Sequence, residues 1–461
     1  MRRLFGTNGV RFILGKTMSI SDILRLGLAI GTFFKGKKCL MGRDVRLTGE
    51  AVASAISSGL MSTGCTVYDV GLITTPALQY LVRRLGFDFG VMITASHNPP
   101  EFNGVKVMDS DGVEIPREKE VVIEDIYFRN KFEYANWDKV GDYKVLQGVL
   151  DYYIEGVLEH AKIDEITERR FTVVVDPANS VPVFTTPEVL KRLNCRVMTI
   201  NANLDGDFPG REPEPRPDTL RELAEAVKTA GADLGVGHDG DGDRAIFVDE
   251  EGTVHWGDRT GALIVKFFME EHPGEKIVTP VSTSKVVEDV VKKHGGEVVY
   301  TRVGSINVSR KMMEIGAKLG LEENGGIFYG PHHPVRDGTM ATVLILNIMA
   351  KTGEELSKLL STLPRYHQFK LKVPCPEELK EPVLKRLREE VKGVKVETID
   401  GVKVWYSDGS WVLMRPSGTE PIYRIYGEAP DEDRARELSR KHEELLRRIV
   451  EEVKEEVKEV K

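Results

Sequence analysis

Short apolar runs alternate with amphipathic stretches through most of the chain, and their spacing predicts an α/β architecture. The pattern reads as helix over 21–34, strand over 38–42, helix over 50–63 and strand over 66–71, with an apolar strand at 87–93. Strands alternating with helical patterns imply a doubly wound sheet. The rhythm restarts at Phe171-Thr-Val-Val-Val-Asp-Pro and at 195–200, and ends at Ala232-Asp-Leu-Gly-Val-Gly. It restarts again at Lys276-Ile-Val-Thr-Pro-Val and at 297–302. No sequence repeat links the three blocks, although their shared rhythm permits structural duplication. After about residue 366 the texture changes. Strand-like runs at 369–373, 394–399, 402–406, 411–415 and 422–428 surround a helical stretch at 376–392, and a highly charged helix runs from Asp431. The chain therefore divides into 1–150, 151–252, 253–365 and a smaller α+β segment, 366–461.

Composition narrows the function classes. A chain of 461 residues exceeds one core. Lys plus Arg total 64 against 72 Asp plus Glu, a net charge of −8, so the basic footprint of a nucleic-acid binder is lacking. Cys39, Cys65, Cys195 and Cys375 lie far apart without a Cys-x-x-Cys pair, which argues against zinc ribbons and disulfide frameworks and fits a reducing cytoplasm. No apolar h-region follows the opening arginines, so no signal peptide is expected. The longest apolar run, 341–350, is broken by Asn347 and falls short of the roughly 18 residues of a membrane span. Many Lys and Glu with few Gln suggest a thermophilic source. The closing Glu/Lys run reads as a solvated helix face.

Four stretches carry chemistry. Residues 94–100, Thr-Ala-Ser-His-Asn-Pro-Pro, place Ser96 at the carboxyl end of a strand, with His97 and Asn98 beside it and two prolines fixing the backbone. Open α/β sheets bind ligands there, and such a loop can present a nucleophile or carrier oxygen. A Ser-His pair alone is more often an ST-turn or a helix cap; the company it keeps reverses that reading. In Gly237-His-Asp-Gly-Asp-Gly-Asp-Arg244, Asp239, Asp241 and Asp243 alternate on a glycine-curved turn. Three carboxylates so close repel one another unless a cation neutralises them, and hard oxygens favour Mg²⁺. An EF-hand is excluded, because Arg244 stands where its glycine belongs and a strand, 245–249, occupies the loop. Arg244 could add charge at a transferring phosphoryl group or bridge to an aspartate, and the two roles are compatible. Arg415-Pro-Ser-Gly-Thr-Glu-Pro with Arg424 makes a phosphate cradle of hydroxyls, amides and guanidiniums. Glu322-Glu-Asn-Gly-Gly offers acid and amide groups suited to sugar hydroxyls, on a loop read as flexible. Further arginines stand in Gly6-Thr-Asn-Gly-Val-Arg11 and Gly42-Arg-Asp-Val-Arg46.

Together, in this order and over essentially the whole chain, these motifs resemble the α-D-phosphohexomutase superfamily. The resemblance implies three similar mixed-sheet α/β domains and a smaller α+β C-terminal domain around one central cleft. It implies that Ser96 is a phosphoserine whose oxygen completes a Mg²⁺ shell with Asp239, Asp241 and Asp243. Phosphoryl transfer would then interconvert a hexose 6-phosphate and a hexose 1-phosphate through a bisphosphate, with hexose 1,6-bisphosphate as primer for Ser96. Lys106, His97, Arg244 and Arg11 become candidates for proton handling and charge neutralisation. Glu322 and Asn324 would grip sugar hydroxyls, and Arg415, Ser417, Gly418, Thr419 and Arg424 the non-reacting phosphate. The compact opening and the Glu-Glu-Asn-Gly-Gly loop look like archaeal phosphoglucosamine mutases, with phosphomannomutase/phosphoglucomutase as the alternative. Phe12, Leu321, Glu214 and the turn Ala178-Asn-Ser-Val-Pro182 depart from the family pattern and bear on substrate preference. The implied partners are small hexose phosphates, with no nucleic acid or membrane, and a homo-oligomer is possible. A non-catalytic sugar-phosphate sensor, or a metal-dependent phosphatase, are the rival readings; the sensor would be favoured by loss of Ser96 or of an aspartate, and neither is lost.

Overall fold

The computed structural model describes residues 3–6, 8–418 and 420–459; Thr7 and Thr419 lie outside the described residues. Four sheets follow one another along the chain, and the first three share one plan. In the first, Thr66–Leu72, Lys38–Arg43 and Phe89–Ile93 run parallel, and the sheet continues antiparallel through Phe102–Asp109 to Val10–Ile13. Tyr143–Val145 adds a parallel edge beside Thr66–Leu72. The second sheet sets Arg196–Thr199, Thr172–Asp176 and Leu234–His238 parallel, then Ala245–Val248 and Val254–His255 antiparallel. In the third, Glu297–Thr301, Lys276–Pro280 and Leu319–Leu321 run parallel, followed by Ile327–Tyr329 and His333–Arg336 in antiparallel pairing. The duplication permitted by the sequence rhythm is thus present as topology.

That plan positions the site. In each block the last parallel strand turns into the first antiparallel strand through a short loop at its carboxyl end: residues 94–101, 239–244 and 322–326. These loops hold Ser96, the three aspartates, and Glu322 with Asn324.

The fourth sheet is wholly antiparallel, in the order His367–Pro374, Ile422–Ala429, Trp411–Pro416, Val402–Trp405, Lys395–Glu397. It packs against helices Lys380–Glu390 and Glu432–Glu459 over its own core, which includes Val383, Leu387, Met414, Ile425, Leu446 and Ile449. The sequence pattern implied one helix over 376–392, whereas a 3₁₀ turn, Glu377–Leu379, precedes Lys380–Glu390. Pro382 explains the break: without an N–H it fits only a first helical turn, so the α-helix begins just before it.

One apolar cluster runs through facing sides of the first three sheets, from Leu40 and Met92 through Val175 and Phe247 to Leu319 and Leu346. Helix Gly338–Thr352 lies inside it and is buried around most of its circumference, which is why 341–350 lacks helical amphipathicity. Among the described residues no helix is long and apolar enough to cross a membrane. The fourth block meets the third through a small seam of Val281, Trp411, Leu413 and Tyr426, flanked by Tyr300 and Trp405.

Candidate active site

Ser96 sits at the tip of the first loop with φ 51°, in the left-handed region, and its local bonds hold it there. Its N–H donates to Thr94 Oγ1 at 2.8 Å, and Thr94 Oγ1 donates to Asp44 Oδ2 at 2.5 Å. Arg11 donates to the Thr94 carbonyl, and burial pushes that guanidinium down to about 10 despite the opposing field of Asp241. The largest support is Arg46. Its buried guanidinium donates to the carbonyls of Pro99 at 2.7 Å, Phe102 at 2.8 Å, Ser96 at 2.8 Å and Asn98 at 2.7 Å, and its Nε to Asp44 Oδ2 at 3.1 Å. Sequence reasoning noted Arg46 only as one more arginine. Its position two residues after Asp44 was the available signal.

The loop projects Ser96 Oγ onto the aspartates, where it donates to Asp239 Oδ2 at 2.8 Å. One carboxylate oxygen from each of Asp239, Asp241 and Asp243 lies within 4.8 Å of the others. Gly242 turns this loop at φ +75°, and a Cβ on Gly240 would lie 2.6 Å from the Ser96 carbonyl, so the two loops approach only through glycine. Ser180 donates to the Gly240 carbonyl at 2.5 Å, and Ala178 and Asn179 are both left-handed. The departing turn at 178–182 therefore keeps a sharp bend and steadies the aspartate loop.

Lys106 lies beneath the cluster, wholly buried, with Nζ 2.7 Å from Asp241 Oδ2 and 3.1 Å from Asp243 Oδ2. Burial would lower its pKa, but the two carboxylates outweigh burial and raise it, so it stays an ammonium. Burial likewise would raise Asp241, yet Lys106 and a hydrogen bond from Thr75 Oγ1 at 2.5 Å hold it far below the carboxylate range. Asp239 moves the other way: burial, then Asp243 and Asp241, push it well above that range. Arg336 Nη2 bonds Asp243 Oδ2 at 2.5 Å and its Nη1 bonds Glu322 Oε2 at 3.2 Å. Both cations use the Oδ2 atoms, and Asp241 Oδ1 and Asp243 Oδ1 are buried with no donor. Orphaned carboxylate oxygens in a low-dielectric site are costly. An all-oxygen set of this kind, beside Ser96 Oγ, fits a hard divalent cation.

Arg244 Nη2 donates to His97 Nδ1 at 3.0 Å, and Ser96 Oγ lies 3.3 Å from the same nitrogen. Burial, then the fields of Arg244, Arg11 and Arg336, drive His97 well below its ordinary pKa, leaving a neutral ring with Nδ1 as acceptor. Glu214, one of the departing residues, places a carboxylate oxygen 3.7 Å from Arg244 Nη1. Glu322 is 3% exposed and tied to Arg336, so its side chain is anchored where the sequence suggested a flexible loop. Asn324 is half-buried and accepts from the Gly326 N–H at 3.3 Å.

Ser96, His97, Lys106, Arg11, Arg244, the three aspartates and Glu322 thus converge. The C-terminal candidates form a second patch. Arg415 and Arg424 are directly opposed partners in the antiparallel register, a like-charge pairing that is unfavourable without a compensating anion. Arg415 Nε pairs with Asp400 Oδ2 at 2.8 Å, and Arg424 pairs with Glu420. Ser417 Oγ accepts from the Glu420 N–H at 3.2 Å, and Gly418 is exposed. Buried Lys380, unforeseen from sequence, braces this loop from below by donating to the carbonyls of Ser417 at 2.6 Å and Glu420 at 2.9 Å.

Family models match all four blocks: phosphoglucomutase/phosphomannomutase α/β/α domain I over residues 2–134, domain II over 151–252, domain III over 256–366 and the C-terminal domain over 371–456. Fold and site define a phosphotransferase of the isomerase class. The chain belongs to the phosphoglucomutase/phosphomannomutase family, within the α-D-phosphohexomutases, and acts as a hexose phosphate mutase. It is 46% identical to the phosphoglucosamine/phosphogalactosamine mutase of Sulfurisphaera tokodaii, with 98% of this chain and 100% of that protein covered. It is 41% identical to the phosphoglucomutase/phosphomannomutase of Thermococcus kodakarensis, covering 95% and 97%. A crystal structure of a phosphoglucomutase/phosphomannomutase family protein from Burkholderia thailandensis superposes with TM-score 0.86 at 27% identity, covering 98% of this chain and 97% of that one.

Proposed function

We propose that the chain interconverts a hexose 6-phosphate and its 1-phosphate through a phosphorylated Ser96 and a hexose bisphosphate, with glucosamine 6-phosphate as preferred substrate. The observation that carries this reading is Ser96 Oγ hydrogen-bonded at 2.8 Å to Asp239, beside the orphaned oxygens of Asp241 and Asp243. Asp239, Asp241, Asp243 and the Ser96 oxygen would hold Mg²⁺, which when bound offsets charge on the transferring phosphoryl group. The phosphoryl group leaves Ser96 for a sugar hydroxyl, the P–O bond to serine breaks as the bond to sugar forms, and the hydroxyl proton passes to a neighbouring group. The bisphosphate turns over and returns its other phosphoryl group to Ser96, so no net phosphate is consumed. A hexose 1,6-bisphosphate would prime the serine.

Neutral His97 Nδ1 is able to take that proton, and the buried Lys106 ammonium to give one. Arg244 and Arg11 supply fixed positive charge, and transfer of this kind depends on positioning plus charge stabilisation. Glu322 and Asn324 meet the sugar hydroxyls. Arg415, Ser417, Gly418, Thr419 and Arg424 hold the distal phosphate. In this reading 1–150, 151–252, 253–365 and 366–461 are four domains lining one cleft.

The amino-sugar preference draws on similarity to the Sulfurisphaera phosphoglucosamine/phosphogalactosamine mutase; similarity to the Thermococcus phosphoglucomutase/phosphomannomutase supports glucose and mannose phosphates as the second reading. Intact-mass analysis should find a phosphorylated fraction that vanishes in Ser96→Ala, with turnover down by orders of magnitude. Full activity in that variant refutes the phosphoserine. Rates on glucosamine, galactosamine, glucose and mannose 6-phosphates then decide the substrate.

A further inference from the structure

The third and fourth blocks have separate cores, joined by the seam around Trp411 and by polar links of two kinds. The deep links are buried. Lys403, 2% exposed, donates to the Val281 carbonyl at 2.8 Å with Trp411 centred 3.9 Å from its ammonium. Glu428, fully buried, accepts from the Lys285 N–H and Trp411 Nε1, each at 2.8 Å. These contacts form a pivot.

Shallower links include Gln368 Nε2 to Asp258 Oδ2 at 3.3 Å, Arg302 Nε to the Ile399 carbonyl at 3.2 Å and the Val303 N–H to Asp400 Oδ2 at 3.1 Å; among them one ion pair differs in what it touches. Glu323, next to Glu322 on the sugar loop, pairs with Lys370 Nζ at 2.5 Å. The ammonium also lies 4.7 Å from the Trp256 ring centre of the third block and 5.4 Å from that of Tyr426 of the fourth. Lys370 is the antiparallel partner of Tyr426, Arg424 lies two residues along the same strand, and Arg415 is the partner of Arg424. Cross-strand partners and i, i+2 neighbours share one sheet face. Lys370 is therefore on the same face as the two phosphate-loop arginines, and it is clasped to the residue beside the sugar-loop carboxylate.

We infer that Glu323 and Lys370 form a positioning latch that sets the spacing between the sugar loop and the phosphate-binding face. Its kinetic consequence rests on the mutase reading; its structural consequence does not. With the latch closed, one ligand meets Glu322 and the Arg415–Arg424 face at a set separation. With it open, the C-terminal block swings on the Lys403–Glu428 pivot and the bisphosphate gains room to turn.

The test uses the full chain with Mg²⁺. All four native cysteines are buried, so spin labels can be directed to Met313→Cys in the third block and Val394→Cys in the fourth, 43% and 76% exposed. Lys370→Met keeps an apolar stem over Trp256 and Tyr426 and removes the charge. It should broaden the label-to-label distance distribution, as should Lys370→Glu, while the double reversal Glu323→Lys/Lys370→Glu should return it to the parent width. Loss of one partly exposed ion pair should raise KM about two- to fivefold and increase bisphosphate released per turnover, and the double reversal should reverse both changes. Distributions of Lys370→Met and Lys370→Glu that superimpose on the parent overturn the latch, and so does failure of the double reversal to correct Lys370→Glu. If the unmodified chain turns over none of the four hexose 6-phosphates, the mutase reading falls, and the distance measurement alone decides the latch.

Discussion

Replacing Arg46 by lysine tests whether the Ser96 loop is held by one side chain. The guanidinium makes five side-chain hydrogen bonds, three to loop carbonyls, one to the Phe102 carbonyl where the next strand begins and one to Asp44. An ammonium has three donors, so at least two of the five bonds are lost; the Pro99 carbonyl keeps the Phe102 N–H and Asp44 Oδ2 keeps Thr94 Oγ1, so only the other acceptors can be orphaned. Each orphaned buried acceptor costs about 1–3 kcal/mol, a total of up to about 6 kcal/mol. Local opening of the loop caps the part seen in global unfolding, because the loop can release before the sheets do. Ser96 would also relax from its left-handed backbone, and a displacement of about 1 Å is enough to cost on the order of 100-fold in rate. The assay is guanidinium unfolding of Arg46→Lys, amide exchange over residues 94–102, and turnover. Stability within about 0.5 kcal/mol of the parent, with unchanged exchange and turnover, would refute the reasoning.

Asp241→Asn should weaken Mg²⁺ binding and lower turnover together, and a chelator should abolish activity that added Mg²⁺ restores; a chelator-insensitive enzyme removes the metal reading. Arg415→Ala should raise KM and free bisphosphate release while Ser96 still accepts phosphate from a bisphosphate primer; unchanged KM and release would dismiss the clamp. His333, 1% exposed, is pushed down to about 3 by burial and then by His332, with Arg83 3.4 Å away. The unfolded chain binds its proton below about 6.5 and the folded chain does not, so this contribution is full above that pH and is lost on acidification. At pH 5 the loss is about 2 kcal/mol, and His333→Gln should flatten the difference in unfolding free energy between pH 7 and 5; an unaltered slope counts against it.

Much of the fold was legible because parallel strands buried on both faces are continuous apolar runs, as at Phe89–Ile93 and Thr172–Asp176. The chemistry was legible where residues close in sequence act together: Ser96 with His97, the three alternating aspartates, Arg415 with Ser417. Arg336, Thr75 and Lys380 left no such local trace. Arg336 reaches Asp243 from 93 positions away, and Thr75 reaches Asp241 from 166. Their roles depend on which strand ends meet.

The sequence by itself determined the order of blocks, the family and the inventory of hard oxygen ligands, because periodicity and loop chemistry are local properties. Tertiary structure decided the state of those groups. Lys106, a plain strand residue by pattern, is set as an ammonium between two carboxylates, while Asp239 and His97 are driven towards neutrality. Desolvation and Coulomb fields depend on distance in space, and three hairpin loops from separate sheets create those distances only when they close on one another.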